Sequence, residues 1–309
     1  MIYDVIILGS GPAGLSAAIY AARANLNTLV IEKGNIGGQI SLTTSVDNYP
    51  GLDYNPTGFD MSERMWNQAE KFGAQKVLDE IVDLNLDGDI KVLKSKENTY
   101  EAKSVILATG ANPRELGIPG EKEFTGKGVA YCATCDGPFY TDLEVYVVGG
   151  GDAAIEEAIF LTKFARKVNV LYRGDSLRAA KSIQDKAFAN DKIEVFYNTE
   201  VKEIYGEMAV NKMRLLNNKT GEEYFVETSQ GDSDFGVFIF IGYLPNTGLF
   251  EGMIDLDRGY VVTDEDMATN IEGVYAVGDM RKKRTRQVVT AAADGAIGAI
   301  SVEKYLENK

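Results

Sequence analysis

Histidine is absent from this sequence of 309 residues, and its only two cysteines, Cys132 and Cys135, share one Cys-x-x-Cys motif. Without histidine the chain has no imidazole base, no histidine metal ligand and no nucleophile triad that needs one. Zinc usually takes four cysteine or histidine ligands, so a structural zinc would need carboxylates or a second chain. We therefore expect no metal site. The groups that remain for proton transfer near neutral pH are a carboxyl group, a thiol, a tyrosine, a lysine or water.

Positive charge and long apolar runs are scarce as well. The formal net charge of −14 argues against binding to a phosphate backbone, so we expect no nucleic-acid partner. No segment approaches the ~18 consecutive apolar residues of a membrane helix. The N-terminal MIYDVIILGSG has neither the basic leader nor the cleavage site of a signal peptide, which favours a cytoplasmic location.

A weak internal repeat indicates the fold. Residues 4–34 and 144–174 each run through an apolar strand, a glycine turn, an amphipathic helix and a second apolar strand. Glu32 stands as far beyond Gly9 as Tyr172 stands beyond Gly149. We interpret the two segments as separate βαβ dinucleotide-binding units, which predicts an α/β fold with two Rossmann-like domains.

The second domain is predicted to be inserted in the first. A buried strand ending in Thr-Gly (104–113) precedes the second unit, and another ending in Gly-Asp (273–280) follows it. The chain crosses between domains near residues 112–118 and 242–247, which contain glycine and proline as linkers often do. The predicted domains are residues 1–113 with 247–309, and the inserted residues 114–246.

The first glycine turn has every part of a dinucleotide site. Gly9 allows the tight turn, Gly11 lets the backbone approach a pyrophosphate, and Gly14 allows the helix to pack closely on the strand. Glu32 ends the second strand, where a carboxylate can accept hydrogen bonds from ribose hydroxyls. This context, more than the glycine spacing alone, predicts dinucleotide binding.

The second glycine turn differs at the position that contacts the ribose. Tyr172 stands where the first unit has its acid, and Arg173 follows it. An arginine suits a 2′-phosphate, so NADP is favoured over NAD, with Arg178 close enough to join. The alternative is that both arginines are solvated surface charges. The predicted binding residues of this turn are Gly149, Gly151, Ala154, Arg173 and Arg178.

Two cysteines as close as Cys132 and Cys135 can form a reducible disulfide, and one of the two thiols often has a lowered pKa. Asp136 follows directly and, with no histidine in the chain, is the candidate acid that protonates a leaving thiolate. An Asp-Gly-Pro turn would explain this aspartate equally well.

Signatures along nearly the whole chain resemble the low-molecular-weight thioredoxin reductases, the class II FAD-dependent pyridine nucleotide-disulfide oxidoreductases. They occur in the family's order: GSGPAG (9–14), GGQI (37–40), DNYPG (47–51), ATGA (108–111), CATCDG (132–137), GGGDAAIEEA (149–158), VGD (277–279) and RQVVTAAADG (286–295).

The resemblance implies a FAD-binding first domain and an inserted NADP-binding domain that carries the dithiol. It implies that NADPH reduces FAD, FAD reduces the disulfide, and the dithiol reduces thioredoxin, while the inserted domain rotates between steps. It assigns attack on thioredoxin to Cys132, exchange with the flavin to Cys135 and the acid to Asp136. It also implies a homodimer. The expected FAD-binding residues are Gly9, Gly11, Pro12, Ala13, Gly14, Glu32, Gln39, Asn48, Thr109, Gly110, Asp279, Arg286, Gln287 and Val288.

The pyridine-nucleotide signature departs from the family pattern. Ala153 replaces a serine, Tyr172 a histidine and Gly174 an arginine, which weakens or changes NADPH specificity. Some relatives with degraded signatures take electrons from ferredoxin, and the basic run at 281–286 is a possible dock for such an acidic protein. That run is otherwise interpreted as a solvated loop. A third hypothesis is that the protein is not an enzyme but a redox sensor that binds a flavin, or a binding module that a zinc ion stabilises.

Overall fold

The computed structural model describes residues 1–43, 46, 48–52, 56–229 and 231–309. The chain divides into two compact units. Unit 1 comprises Met1–Asn112 and Leu244–Lys309, and unit 2 comprises Pro113–Tyr243. The cofactor that each unit binds remains a prediction.

The strands follow one another in chain order. The first seven are β1 (Ile2–Leu8), β2 (Thr28–Glu32), β3 (Gln75–Leu78), β4 (Asp83–Asn85), β5 (Lys91–Lys94), β6 (Thr99–Leu107) and β7 (Ala111–Pro113). The next eight are β8 (Val129–Ala130), β9 (Glu144–Val148), β10 (Lys167–Leu171), β11 (Ile193–Phe196), β12 (Thr199–Gly206), β13 (Val210–Asn217), β14 (Glu223–Glu227) and β15 (Gly236–Ile239). The last four are β16 (Tyr243–Pro245), β17 (Leu256–Asp257), β18 (Tyr260–Val261) and β19 (Val274–Ala276).

The α-helices are α1 (Pro12–Arg23), α2 (Gly58–Lys71), α3 (Ala133–Asp136), α4 (Asp152–Leu161), α5 (Lys181–Phe188) and α6 (Val288–Glu307). In each βαβ unit a helix joins the two strands as the repeat predicts, with α1 between β1 and β2 and α4 between β9 and β10. Short 3-10 helices occupy Gly38–Leu42, Gly137–Tyr140, Gly248–Phe250 and Gly278–Met280. Within the described ranges, no helix is both long enough and apolar enough to cross a bilayer.

Unit 1 is built on a seven-stranded sheet in the order β3-β2-β1-β6-β5-β4, with β19 also paired to β6. The pairs among β3, β2, β1, β6 and β19 are parallel. Alternate residues of β1 point to opposite faces. Val5 and Ile7 pack with α1, α2 and α6, whereas Ile6 and Leu8 pack with β4, β5 and the segment 249–261. Burial on both faces accounts for the unbroken apolar run in β1.

Unit 2 repeats the arrangement with a parallel sheet in the order β11-β10-β9-β15-β8. Val145 and Val147 of β9 pack with α4, while Tyr146 and Val148 pack against a separate antiparallel sheet formed by β12, β13 and β14. Both glycine turns therefore lie between a buried parallel strand and the helix that follows it. This is the predicted α/β fold with two Rossmann-like units.

The segments that connect the units pair with each other. β7 and β16 form a two-stranded sheet, and the Arg114 amide donates to the Gly242 carbonyl at 2.9 Å. Gly242 adopts a φ of +111°, a left-handed conformation that favours glycine.

Candidate active site and its dinucleotide turns

The first turn is shaped for close approach by a ligand. Gly9 has a φ of +107°, and a Cβ on it would lie 2.5 Å from the Ala108 carbonyl oxygen. A Cβ on Gly14 would lie 2.0 Å from the Gly9 oxygen, so a side chain there would separate helix from strand. At Gly11 the nearest atom to a Cβ is the Gly37 oxygen at 4.0 Å. The space above Gly11, at the N-terminus of α1, is thus available to a pyrophosphate.

Glu32 is fixed beside this turn. One carboxylate oxygen accepts from the Ser10 amide at 2.8 Å and from its hydroxyl at 2.7 Å, and the other accepts from the Gly34 amide at 2.9 Å. A carboxylate has about four acceptor positions, so capacity remains for ribose hydroxyls. Pro12 starts α1, and Ala13 is buried under the turn.

A side-chain network joins other predicted flavin-site residues. The Gln39 amide donates to the Asn112 oxygen at 2.8 Å. The Asn246 side chain donates to the Thr109 carbonyl at 2.8 Å, and its backbone amide donates to the Gly110 carbonyl at 2.9 Å. Because Asn246 lies far along the chain from the Thr109–Gly110 turn, sequence reasoning did not identify it as a site residue.

A second contact joins residues from the two ends of unit 1. The Asn48 side-chain amide donates to the Gln287 oxygen at 3.3 Å, and Gln287 caps α6 directly before Val288. The structure thus brings these two predicted residues together. Asp47, which belongs to the same DNYPG signature as Asn48, lies outside the described residues.

Asp279 offers an acceptor that the described residues leave unused. Its Oδ1 is buried without a hydrogen-bond partner, and the nearest cation, the Lys283 ammonium, is 3.7 Å away. Burial raises the pKa of this carboxyl group despite the nearby charges of Lys283 and Arg286. Buried acceptors are nearly always satisfied, so this atom suits a donor hydroxyl of a bound cofactor.

The sequence-based interpretation of the basic run at 281–286 as a solvated loop was wrong for two of its residues, Arg281 and Lys283. The side chains of Arg281 and Lys283 are only 12% and 13% exposed. Both pair with buried Asp294 of α6, at 3.0 and 2.9 Å. Asp294 also accepts from the Gly278 amide at 3.0 Å. These cations therefore fix the turn that carries Asp279.

Two more cations of the run, Lys282 and Arg286, also have protein partners. Lys282 pairs with Asp257 at 2.6 Å. Arg286 lies over the Tyr260 ring at 4.3 Å and donates to the Asp279 carbonyl at 3.3 Å. Arg286 is thus held beside the predicted flavin residues by its own contacts.

The second turn keeps the open space but has an aromatic ring beside it. Nothing lies within 4 Å of a Cβ built on Gly151, while one on Gly149 would lie 2.5 Å from the Phe240 oxygen. A Cβ on Gly150 would lie 2.3 Å from the Tyr172 ring, and one on Gly174 would lie 2.6 Å from it. Tyr172 thus fills the space between these two glycines.

Arg173 and Arg178, the two arginines predicted to bind a phosphate at this turn, are exposed, which fits both a phosphate-binding role and a role as solvated surface charges. The Arg178 amide donates to the Gly150 carbonyl at 2.8 Å, which fixes its backbone at the glycine turn. Hydrogen bonds from Asn218 and Lys202 lower the pKa of Glu200, and the charge of Arg173 lowers it further. The Arg173 side chain therefore lies near the Glu200 carboxylate. Ala154 is buried beneath the turn.

Cys132 and Cys135 form a disulfide with their Cα atoms 5.3 Å apart. Cys132 caps α3 in an extended conformation, and its sulfur accepts from the Cys135 amide at 3.1 Å. Both residues are half-buried, so a partner can reach them from solvent. Of the residues described, no three carboxylates or cysteines gather as a metal site would require.

Asp136, the last residue of α3, lies in apolar surroundings. Burial raises its pKa to about 6. Burial also raises the pKa of Tyr140, and the Asp136 charge raises it further, so the carboxyl group lies near this ring. Leu161 and Phe164 pack beside the adjacent Gly137. A carboxylic acid with this pKa next to a dithiol can donate and accept protons near neutral pH.

Known proteins match the chain over almost its full length. The model for the pyridine nucleotide-disulphide oxidoreductase family, whose members bind a flavin and a nicotinamide nucleotide, matches residues 3–295. The thioredoxin reductase of Peptoclostridium acidaminophilum is 56% identical over 99% of this chain and 98% of the relative. That of Bacillus subtilis is 47% identical over 99% and 95%. The thioredoxin reductase structure from Streptococcus pyogenes is 45% identical with a TM-score of 0.93, over 100% and 99%. The chain belongs to the pyridine nucleotide-disulphide oxidoreductase family and, within it, to the low-molecular-weight thioredoxin reductases.

Proposed function

We propose that this chain is a thioredoxin-disulfide reductase that takes electrons from NADPH through FAD to Cys132–Cys135 and passes them to thioredoxin. The observation that carries the proposal is the half-buried Cys132–Cys135 disulfide with Asp136 beside it. It occurs in a fold that also has two dinucleotide turns and whose relatives are named thioredoxin reductase.

FAD fits unit 1. The open space above Gly11 would accept a pyrophosphate, Glu32 has free acceptor capacity for a ribose, and the buried Asp279 Oδ1 lacks a hydrogen-bond donor that a cofactor would supply. Gln39, Asn48, Thr109 and Gln287 surround the same turns and would complete the site. When bound there, the flavin supplies two-electron transfer between the nicotinamide nucleotide and the dithiol.

The chain's own residues carry out the exchange with the partner. The Cys132 thiolate attacks one sulfur of the thioredoxin disulfide, and a mixed disulfide forms as the other thioredoxin sulfur leaves as a thiolate. Asp136 gives that thiolate a proton. The Cys135 thiolate then attacks the Cys132 sulfur, which restores the intramolecular disulfide and releases the second thioredoxin thiolate to take a proton. Thioredoxin gains two electrons and two protons, and the enzyme dithiol is oxidised.

NADPH fits unit 2, through the glycine turn and Arg178 with Arg173 nearby. The proposal of ferredoxin as donor has less support. Three of the five cations in its predicted dock are already paired, Arg281 and Lys283 with Asp294 and Lys282 with Asp257, which reduces the charge available to an acidic protein.

We propose in addition that the protein is a homodimer. Exposed apolar residues form one stripe along α6, because they recur at the helical spacing: Val289, Ala293, Ile297 and Ile300. An apolar stripe on a surface helix marks an interaction site, and the matching stripe of a second copy is the occupant we propose.

Replacing Cys135 tests the route. Cys135→Ser should keep its flavin colour and its reduction by NADPH, yet lose thioredoxin turnover by at least about a hundredfold, because the mixed disulfide at Cys132 cannot be resolved. Normal turnover by this variant would refute the dithiol route. Parallel anaerobic titrations with NADPH, NADH and reduced ferredoxin identify the donor, and flavin reduction by ferredoxin alone would overturn the NADPH assignment.

A further inference from the structure

Tyr131 lies directly before Cys132, and its side chain and its carbonyl are each held by a hydrogen bond to a residue outside α3. Its hydroxyl donates to the Glu121 carboxylate at 2.8 Å. Its carbonyl accepts from the Tyr243 hydroxyl at 2.9 Å. Neither contact belongs to the sheet or to α3, and the proton and thiol chemistry described above does not use them.

Glu121 connects Tyr131 to the first segment that links the units. The Glu121 side chain is buried, with the residue 1% exposed. Besides the Tyr131 hydroxyl, its carboxylate accepts from the Leu116 amide at 2.8 Å and from the Gly117 amide at 2.7 Å. Leu116 and Gly117 follow β7, so this buried carboxylate ties the incoming segment to the residue before the dithiol.

Tyr243 connects Tyr131 to the second linking segment. It is the last residue of unit 2 and the first residue of β16, which pairs with β7. Its hydroxyl donates to the carbonyl of the peptide between Tyr131 and Cys132. Both linking segments are therefore hydrogen-bonded, within unit 2, to the single residue that precedes the nucleophile.

We infer that Tyr131 is a positioning residue for the dithiol, which holds the Cys132 backbone through Glu121 on one side and Tyr243 on the other. A held backbone keeps the Cys132 sulfur within reach of Cys135, which raises the effective concentration of one thiol toward the other and favours the disulfide. Motion in either linking segment then acts on the geometry at Cys132. Since Cys132 and Cys135 are the redox pair only under the proposed function, this role rests on that function.

The redox equilibrium of the holoenzyme tests the inference without thioredoxin or a nicotinamide. Wild type, Tyr131→Phe and Tyr243→Phe are equilibrated in dithiothreitol buffers, and the dithiol fraction is measured by alkylation. The chain has no other cysteine, so every alkylated thiol belongs to this pair. Tyr131→Phe removes the part-buried hydrogen bond to Glu121. It should shift the disulfide–dithiol equilibrium about fivefold toward the dithiol, which corresponds to about 20 mV in reduction potential. Tyr243→Phe removes the more exposed hydrogen bond to the Tyr131 carbonyl and should shift the same equilibrium about twofold toward the dithiol.

Tyr100→Phe is the matched control, because the Tyr100 hydroxyl donates to the Asp79 carboxylate at 2.7 Å in unit 1. It should leave the dithiol equilibrium unchanged. A Tyr131→Phe shift below about 5 mV, or an equal shift in Tyr100→Phe, would overturn the positioning role. Either result is distinct from failure of the proposed function, which turnover of Cys135→Ser decides separately.

Discussion

Asp136→Asn should make the protein more stable and less active, with both effects dependent on pH. Burial raises the pKa of Asp136 to about 6 in the folded chain, against about 3.9 for an unfolded aspartate. The folded state therefore binds this proton more tightly than the unfolded state. The stabilising contribution is fully present below pH about 4 and is lost as the pH rises through about 6.

The size of the effect follows from the difference between the two pKa values. About two pKa units correspond to about 3 kcal/mol of differential stability, and partial exposure of the residue to water reduces this to about 2 kcal/mol. Asparagine has a similar shape and no charge to desolvate. Asp136→Asn should therefore match wild type near pH 4 and exceed its free energy of unfolding by about 2 kcal/mol at pH 8.

The choice of assay matters because the only tryptophan, Trp66, lies in unit 1 and does not report on the unit that carries Asp136. Amide hydrogen exchange measured on peptides from β9 and β10 reports the opening free energy of unit 2 directly. Asp191→Asn, at an exposed position of the same unit, is the matched control and should show no pH-dependent gain.

Activity should change in the opposite direction. Only the protonated acid can give a proton to the leaving thiolate, so the Asp136-dependent rate of wild type should fall as the pH rises through about 6. Measured below pH about 6, Asp136→Asn should lose about a hundredfold or more in thioredoxin turnover, and its turnover should lack this pH dependence. If the variant had wild-type stability at pH 8 together with wild-type turnover, both the burial argument and the acid role would be refuted.

Two further predictions concern unit 1. Gly14→Ala should lose about 3 kcal/mol or more in stability because its Cβ would lie 2.0 Å from the Gly9 oxygen, whereas Gly11→Ala should fold with wild-type stability and lose flavin. Thermal unfolding and bound-flavin absorbance measure the two effects, and a stable, yellow Gly14→Ala protein would contradict the packing argument. Ile297→Glu should shift a dimer toward monomer in sedimentation equilibrium, since it places a charge in the exposed stripe of α6. An unchanged mass would place the subunit contact elsewhere.

The sequence predicts most reliably those features whose chemistry is local. The glycine turn at Gly9, the strand that precedes it and the acid at Glu32 lie within one short segment, and the structure has them as expected. The α/β fold can be predicted for the same reason, because each βαβ unit is formed by consecutive residues. The Cys132–Cys135 disulfide is likewise local.

Contacts between distant segments could not be predicted. Asn246 bonds to Thr109 across 137 residues, and Tyr243 bonds to Tyr131 across 112. A tyrosine or asparagine near a chain crossing has no periodicity or spacing that reveals its partner. The Tyr172 ring beside Gly150 is a similar case. The sequence shows that tyrosine replaces the family's histidine, but it does not show that the ring fills the space between Gly150 and Gly174.

The basic run at 281–286 shows why charge alone is a weak guide to docking. Asp294, the partner of Arg281 and Lys283, stands in the second turn of α6, where the pattern of residues predicts only a helix. Two carboxylates offset these two cations, namely Asp294 and also Asp279, whose Oδ1 lies 3.7 Å from the Lys283 ammonium. Asp294 also accepts from the Gly278 amide of the turn that presents Asp279. A long-range attraction for an acidic protein requires unpaired charge, whereas a paired cluster mainly fixes geometry. The paired part of the run therefore supports the turn that carries Asp279, and under the proposed function the electron donor is recognised at the glycine turn of unit 2.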